Sequence, residues 1–260
     1  MKIAISGKGG VGKSTLAAAL ALLMARQNKR VLAIDADSDT NLAAALGISR
    51  EDQHKIIPVA EQVALIEERT GAKVKQYGQV FKLNPEVSDI ADKYATLING
   101  VALLVLGAID KGGGGCACPE NVLLRALVTD LVLYKDEALI MDMEPGVEHL
   151  GRATAHGVDV MLIVVEPGQR SIDSTHRILD MAKEIGLKDI QLIANKIKQA
   201  DDERFIQDAF PANDIFGFIP YSDQILQSDR AGISVIDSLP EDLMEHFNNI
   251  LQRLEKQSLK

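Results

Sequence analysis

The chain has 260 residues, 47% hydrophobic and 25% charged, enough apolar material for one large α/β core or two small ones. Its formal charge of −9, from 37 acidic and 28 basic residues with no basic patch, argues against nucleic acid as a partner. No stretch approaches the ~18 uninterrupted apolar residues of a membrane span, and Met1-Lys2-Ile3-Ala4-Ile5-Ser6 runs into a glycine loop without a signal-peptide pattern, so a cytoplasmic chain with no membrane partner is expected.

Aromatics make up 4% and Trp is absent, so the core must be built from Ala, Val, Ile and Leu, which suits a buried parallel sheet. Apolar runs predict strands over 2–6, 30–35, 101–106, 138–142, 160–165, 190–194 and 215–219. Helical patterns fall at 13–26, 58–69, 120–133, 171–185, 203–209, 223–229 and 240–254. This alternation predicts an α/β fold, a doubly wound mostly parallel sheet flanked by helices, and no linker divides it, so 1–260 is expected to be one domain.

After the first strand, Gly7-Lys8-Gly9-Gly10-Val11-Gly12-Lys13-Ser14 fits the phosphate-loop pattern, with Thr15 opening an alanine-rich helix. Glycines let the N–H groups of Gly9, Gly10, Val11, Gly12, Lys13, Ser14 and Thr15 converge on phosphates at a helix N-terminus. Lys13 is expected to reach the β- and γ-phosphates of ATP, and the Ser14 hydroxyl to hold Mg2+. The second strand ends in Asp35-Ala36-Asp37-Ser38-Asp39, carboxylates placed where an open α/β sheet binds its ligand. Either of the first two can orient an attacking water or join the Mg2+ shell; Asp39 reads as a solvated loop acid.

Residues 71–99 have weak periodicity and read as an insertion on the functional edge, touching a client or lying as a lid. Residues 111–119 follow, Lys-Gly-Gly-Gly-Gly-Cys-Ala-Cys-Pro, in which the glycines leave the backbone free and Cys116 and Cys118 stand one residue apart. Two neighbouring thiols are not a disulfide framework in a reducing compartment. They supply half of a four-thiolate metal site, which a symmetric dimer would complete; incidental thiols are the alternative. Leu139-Ile140-Met141-Asp142 is an apolar strand ending in an acid, so Asp142 is expected to hold Mg2+ directly or through water, with Met141 in the core. Gly146 and Gly151 bracket a segment able to move with the nucleotide, and His149 and His156 serve switch or packing roles more readily than metal binding. The last helix is amphipathic but opens with Glu241 and Asp242, so Leu243, Phe247, Ile250 and Leu254 suit packing on the sheet better than lipid binding.

Lys8, a second lysine inside the loop, resembles the deviant Walker A group, which holds cell-division and plasmid-partition ATPases, the nitrogenase iron protein and several metal-insertion factors. The resemblance implies an ATPase, slow alone and coupled to dimerisation, in which Lys8 reaches the partner's nucleotide, Asp37 positions water and Asp35 supports it. It also implies that Asn195 reads the adenine and that the loop around Pro220 packs on the base. Three segments narrow the match: 115–121 (Gly-Cys-Ala-Cys-Pro-Glu-Asn), 142–152 with its Glu-His-Leu-Gly-Arg, and 165–171 (Val-Glu-Pro-Gly-Gln-Arg-Ser). Together with Phe81-Lys82-Leu83-Asn84-Pro85 they resemble the nickel-insertion accessory ATPases of carbon monoxide dehydrogenase and acetyl-CoA synthase maturation, from Lys2 to about Asp237. Pro145 departs from the small residue expected there and would stiffen the switch. What this implies is a homodimer whose Cys116 and Cys118 bind one Ni2+, or Zn2+ in its place, and whose client is the apo form of either enzyme. Rival readings are a positioning ATPase, which leaves the cysteines unexplained, and an iron–sulfur electron carrier, whose paired ligands lie farther apart in sequence.

Overall fold

The computed structural model describes residues 1–74, 76, 78–107, 118–134, 137–147, 150–237 and 239–258. Eight strands form one sheet: β1 (Lys2–Gly7), β2 (Val31–Ala36), β3 (Thr96–Ile98), β4 (Val101–Val105), β5 (Ala138–Met143), β6 (Val160–Val165), β7 (Ile190–Ile197) and β8 (Ile215–Pro220). Their order is β3-β4-β2-β5-β1-β6-β7-β8, with β3 antiparallel to β4 and every other pair parallel. From β1 the chain runs outward through β6, β7 and β8 on one side, while on the other β5 inserts between β1 and β2; being parallel, seven strands end at the same edge.

The helices are α1 (Lys13–Arg26), α2 (Leu42–Ala45), α3 (Arg50–Gln53), α4 (Val63–Thr70), α5 (Ile90–Tyr94), α6 (Pro119–Tyr134), α7 (Arg152–Ala155), α8 (Gln169–Glu184), α9 (Ala200–Ala209), α10 (Asp223–Ala231) and α11 (Glu241–Ser258). Strand alternation sorts the core into two layers. Ile3 and Ile5 of β1 face one layer with α1, α2 and α11, while Ala4 faces the other with α4, α5, α6, α8 and α9. Helix α1 is buried almost all round from Leu16 to Met24, which is why it carries alanines where an edge helix would carry charges.

The structure differs from the predicted elements in three places. The 58–69 helix is a 3-10 turn at Val59–Glu61 and then α4, broken at Gln62, whose ψ of 70° is not helical. The 71–99 stretch is more than an insertion: its end supplies β3 and α5, and Val87, Ile90 and Ala91 enter the core. Arg69 clamps Asp89 through two hydrogen bonds of 2.9 and 2.8 Å, and this pairing with Lys93 holds the Asp89 carboxyl far below the usual range. The third difference is β3 itself, joined to β4 by Asn99-Gly100, both at positive φ (47° and 84°).

The amphipathic tail packs as expected. In α11, Leu243, Phe247, Ile250, Leu251 and Leu254 are buried, and Gly217 of β8 lets the helix approach, since a Cβ there would lie 3.0 Å from Ile250 Cγ1. No described helix is long and apolar enough to cross a membrane. Phe247→Ala is expected to cost roughly 3–5 kcal/mol of stability, read as a lower urea midpoint. An unchanged midpoint would mean that α11 does not hold the β8 side of the sheet.

Candidate nucleotide and metal site

The phosphate-loop sequence leaves the central strand β1 and opens α1, so it sits at the carboxyl edge of the sheet with strand ends on both sides. Two of its glycines are demanded by packing. A Cβ on Gly7 (φ +150°) would lie 2.5 Å from the Val164 carbonyl oxygen, and one on Gly12 (φ +103°) 2.3 Å from Asn195 Nδ2. At Gly9 and Gly10 a Cβ would meet nothing within 4 Å, so the face of the loop is open to a ligand.

The end of β7 orients this loop. The Asn195 side-chain amide donates to the Val11 carbonyl at 2.7 Å, and its oxygen accepts from the Lys196 backbone N–H. Lys196 Nζ donates to the Gly10 carbonyl at 2.6 Å and pairs with Glu166 at 3.0 Å. Consecutive strand residues normally face opposite ways; here Lys196 has φ +61° and the β7–β8 register shifts between Ala194 and Ile197, so both reach the loop. Glu166, at the exit of β6, also faces Lys8, with Nζ 4.0 Å from its carboxylate.

The acids lie on the other side of β1. Asp35 and Asp142 stand side by side in the β2–β5 register, both fully buried. Asp35 accepts backbone N–H bonds from Leu42 (3.0 Å) and Asp37 (3.3 Å). Burial, then repulsion from Asp142, pushes its carboxyl up to about 7 against those donors. Neither Asp142 oxygen has a hydrogen-bond partner. Burial pushes Asp142 up to about 6, and the Ser14 hydroxyl, near it without full hydrogen-bond geometry, and then Lys13 moderate the rise. Lys13, 6% exposed, holds its ammonium 3.2 Å from Asp37, so the predicted lysine and acid meet.

Two contacts that the sequence did not single out join the end of β1 to the loop after β5, and that loop to the one after β2. The Ser6 hydroxyl accepts from the Gly146 N–H at 3.1 Å and faces the Glu144 and Gly146 carbonyls, and Glu144 accepts from the Ser38 N–H at 3.2 Å. Beside the first turn of α1, a cavity of about 150 Å³ lies between Ser14, Thr15, Asn41 and the α10 residues Ile225 and Asp229. Pro220 ends β8, and Tyr221 beyond it donates its N–H to Ile197. A larger cavity, about 600 Å³, lies at the β3 edge near Asp52, Lys55 and Asn99 and includes no phosphate-loop residue.

Cys118 immediately precedes α6, with Pro119 in the first helical position that suits it. Its sulfur accepts from the Asn121 side chain at 3.1 Å. Burial raises the thiol's pKa, and the Asn121 backbone N–H works against that rise. Cys116, the four glycines before it and His149 lie outside the described residues. His156 is exposed, Met141 is buried in the core, and among the described residues no group of three or more His, Cys, Asp or Glu is gathered to hold a metal ion.

Residues 2–235 match the family described as the CobQ/CobB/MinD/ParA nucleotide binding domain. The chain is 42% identical over 240 residues to the carbon monoxide dehydrogenase accessory protein CooC of Rhodospirillum rubrum, spanning 92% of this chain and 91% of that protein. It is 40% identical over 257 residues to an uncharacterized ATP-binding protein of Methanocaldococcus jannaschii, spanning 97% and 98%. Among solved structures, the MinC:MinD cell division protein complex of Aquifex aeolicus gives a TM-score of 0.69 at 22% identity, over 98% of this chain and 95% of that chain. The septum site-determining protein MinD of Pyrococcus horikoshii, complexed with Mg-ADP, gives 0.66 at 21% identity over 98% and 96%. These two establish the fold, a doubly wound sheet around a central phosphate loop. With the family matched over nearly all of that fold and the loop open at its carboxyl edge, the chain belongs to the CobQ/CobB/MinD/ParA nucleotide-binding family and is an ATP-binding P-loop ATPase of the CooC accessory type.

Proposed function

We propose that this ATPase is a metallochaperone that binds Ni2+ between two copies of itself and supports nickel insertion into carbon monoxide dehydrogenase or acetyl-CoA synthase. What carries the reading is the Cys116-Ala117-Cys118 sequence at the start of α6 in a chain 42% identical to CooC. Two chains would supply four thiolates, the number a tetrahedral or square-planar site takes, with Zn2+ as a substitute cargo. The raised Cys118 pKa means that metal binding there displaces a proton. On this reading the protein is cytoplasmic, and residues 1–260 act as one domain, with 111–119 as its metal loop.

The nucleotide side assigns a role to each residue of the edge. N–H groups from Gly9 to Thr15 would cradle the phosphates, and Lys13 would leave Asp37 for their β- and γ-oxygens, freeing that carboxylate to orient water. Asn195 and Pro220 would flank the base, and Lys8 would reach phosphate of the nucleotide held by the partner copy. Mg2+ fits the donors present: the Ser14 hydroxyl and the unpartnered Asp142 oxygens are hard oxygen ligands, with Asp35 beside them. Bound with ATP, it would neutralise charge on the transferring phosphoryl group.

Nickel titration with mass measurement should find one Ni2+ per two chains in the wild type. Cys116→Ser or Cys118→Ser should lose at least tenfold in nickel affinity while ATP affinity stays within about twofold; retained nickel binding would sink the shared-thiolate site. Asp37→Ala should slow ATP hydrolysis by about 100-fold and lengthen the lifetime of the ATP-bound dimer. An unaltered turnover rate would remove Asp37 from the reaction.

The buried acids add a pH dependence. Asp35 titrates near 7 in the fold against an ordinary value of 3.8, so folding retains its proton; that stabilisation is complete at low pH and is lost as pH rises through 7. In thermal melts without Mg2+ or nucleotide, Asp35→Asn should therefore gain on the wild type by more than about 1 kcal/mol between about pH 5 and pH 8. A constant difference over that range would place the Asp35 proton elsewhere.

A further inference from the structure

Glu166 pairs with two lysines beside the phosphate loop, Lys8 and Lys196, and the two pairings differ in kind. Lys196 Nζ is 3.0 Å from Oε2 and donates to the Gly10 carbonyl at 2.6 Å, so it has two fixed partners. Lys8 Nζ is 4.0 Å from Oε1, at the limit of an ion pair, and is 38% exposed against 27% for Glu166. The backbone of Glu166 is itself pinned: its N–H donates to Ser171 Oγ at 3.1 Å, and its carbonyl accepts from the Gly168 N–H at 2.8 Å. Glu166 is thus a post held rigid by Lys196 and the turn before α8, and Lys8 rests on it loosely. A half-exposed pair at that separation is weak and screened by salt. A polyphosphate is a stronger acceptor for the same ammonium.

We propose that Glu166 is a positioning residue that holds Lys8 in reserve at the rim of the phosphate loop, so that a nucleoside triphosphate must take Lys8 from Glu166 as it binds. The carboxylate then lowers nucleotide affinity by occupying Lys8. It keeps the lysine ordered beside the loop meanwhile. This inference needs only the ATP site and is independent of the metal reading.

The test is a titration of the full chain with a fluorescent ATP analogue and Mg2+, for wild type, Glu166→Gln, Lys8→Met and the double variant, at low and high salt. Glutamine keeps the size of Glu166 and can still accept from Lys196, and thermal melts check that each variant is folded. Glu166→Gln should bind about threefold tighter at low salt, the gain should shrink at high salt, and it should vanish in the Lys8→Met background. Equal or weaker binding by Glu166→Gln would overturn the proposal. A gain that persists without Lys8 would overturn it too, since Glu166 would then act as a remote charge.

Discussion

A loop that offers backbone N–H groups to phosphate must turn its carbonyls the other way, and every carbonyl turned inward to the protein needs a donor. For Gly10 and Val11 that donor comes from a single strand end, Lys196 and Asn195 of β7, more than 180 residues later in the chain. Two consecutive side chains serve the same loop only because Lys196 adopts φ +61°, a backbone state costing a non-glycine residue about 1–3 kcal/mol. The cost is offset by satisfying two loop carbonyls at once, the Val11 one buried and the Gly10 one at the rim. It also fixes Gly12, since the Asn195 amide occupies the space of a side chain there. The phosphate loop and the exit of β7 therefore form one rigid piece, although the motif alone names only half of it.

Around that piece the charges are divided. On the β2–β5 side are Asp35, Asp37 and Asp142; on the β6–β7 side are Lys8 and Lys196, with Glu166 between them. Desolvation raises both buried carboxyls toward neutrality, with repulsion from Asp142 adding to the rise at Asp35 and repulsion from Asp37 to that at Asp142. Such a pair is stable only with a proton or a cation in reach. Lys13 supplies a cation but is already paired with Asp37. The edge is thus built so that the arrival of a polyphosphate and of a divalent cation redistributes contacts that are otherwise made within the protein.

Most of the fold was legible in the sequence because its signals are local. Seven parallel strands are short aliphatic runs, and a buried strand of this kind needs no distant context to be recognised. The short helices α2, α3 and α7 span four residues each, too few to show a helical period. Strand β3 lay hidden in a stretch of weak periodicity, although Asn99-Gly100 is a hairpin signal that marks its end. The site divides the same way. Gly7 to Thr15, Asp35, Asp37 and Asp142 follow from position at strand ends, whereas Glu166, Lys196, Ser6 and Glu144 act through partners 30 to 186 residues away, or through a backbone outlier. Asn195 is legible in the sequence only as a strand-end amide; its contact with Val11 depends on a strand irregularity that no residue pattern announces.

The same contacts connect the acid side of the nucleotide site to the cysteine loop. The carbonyl of Asp35 accepts the Leu106 N–H at 2.8 Å, and the carbonyl of Leu106 accepts the Ala60 N–H at 2.9 Å. Gly107 follows at φ +83°, where a Cβ would lie 2.6 Å from the Cβ of Pro58. Gly107 lies just after β4, and Cys118 lies immediately before α6. Helix α6 in turn packs on α4 and α7, and α7 follows the loop that Ser6 and Glu144 tie to β1 and β2. Both ends of the segment carrying the cysteines are therefore anchored to elements that meet the nucleotide edge, by hydrogen bonds at one end and by helix packing at the other. A shift at Asp35 or in the loop after β5 therefore has a path of bonded and packed groups to Gly107 on one side and to Cys118 at the head of α6 on the other.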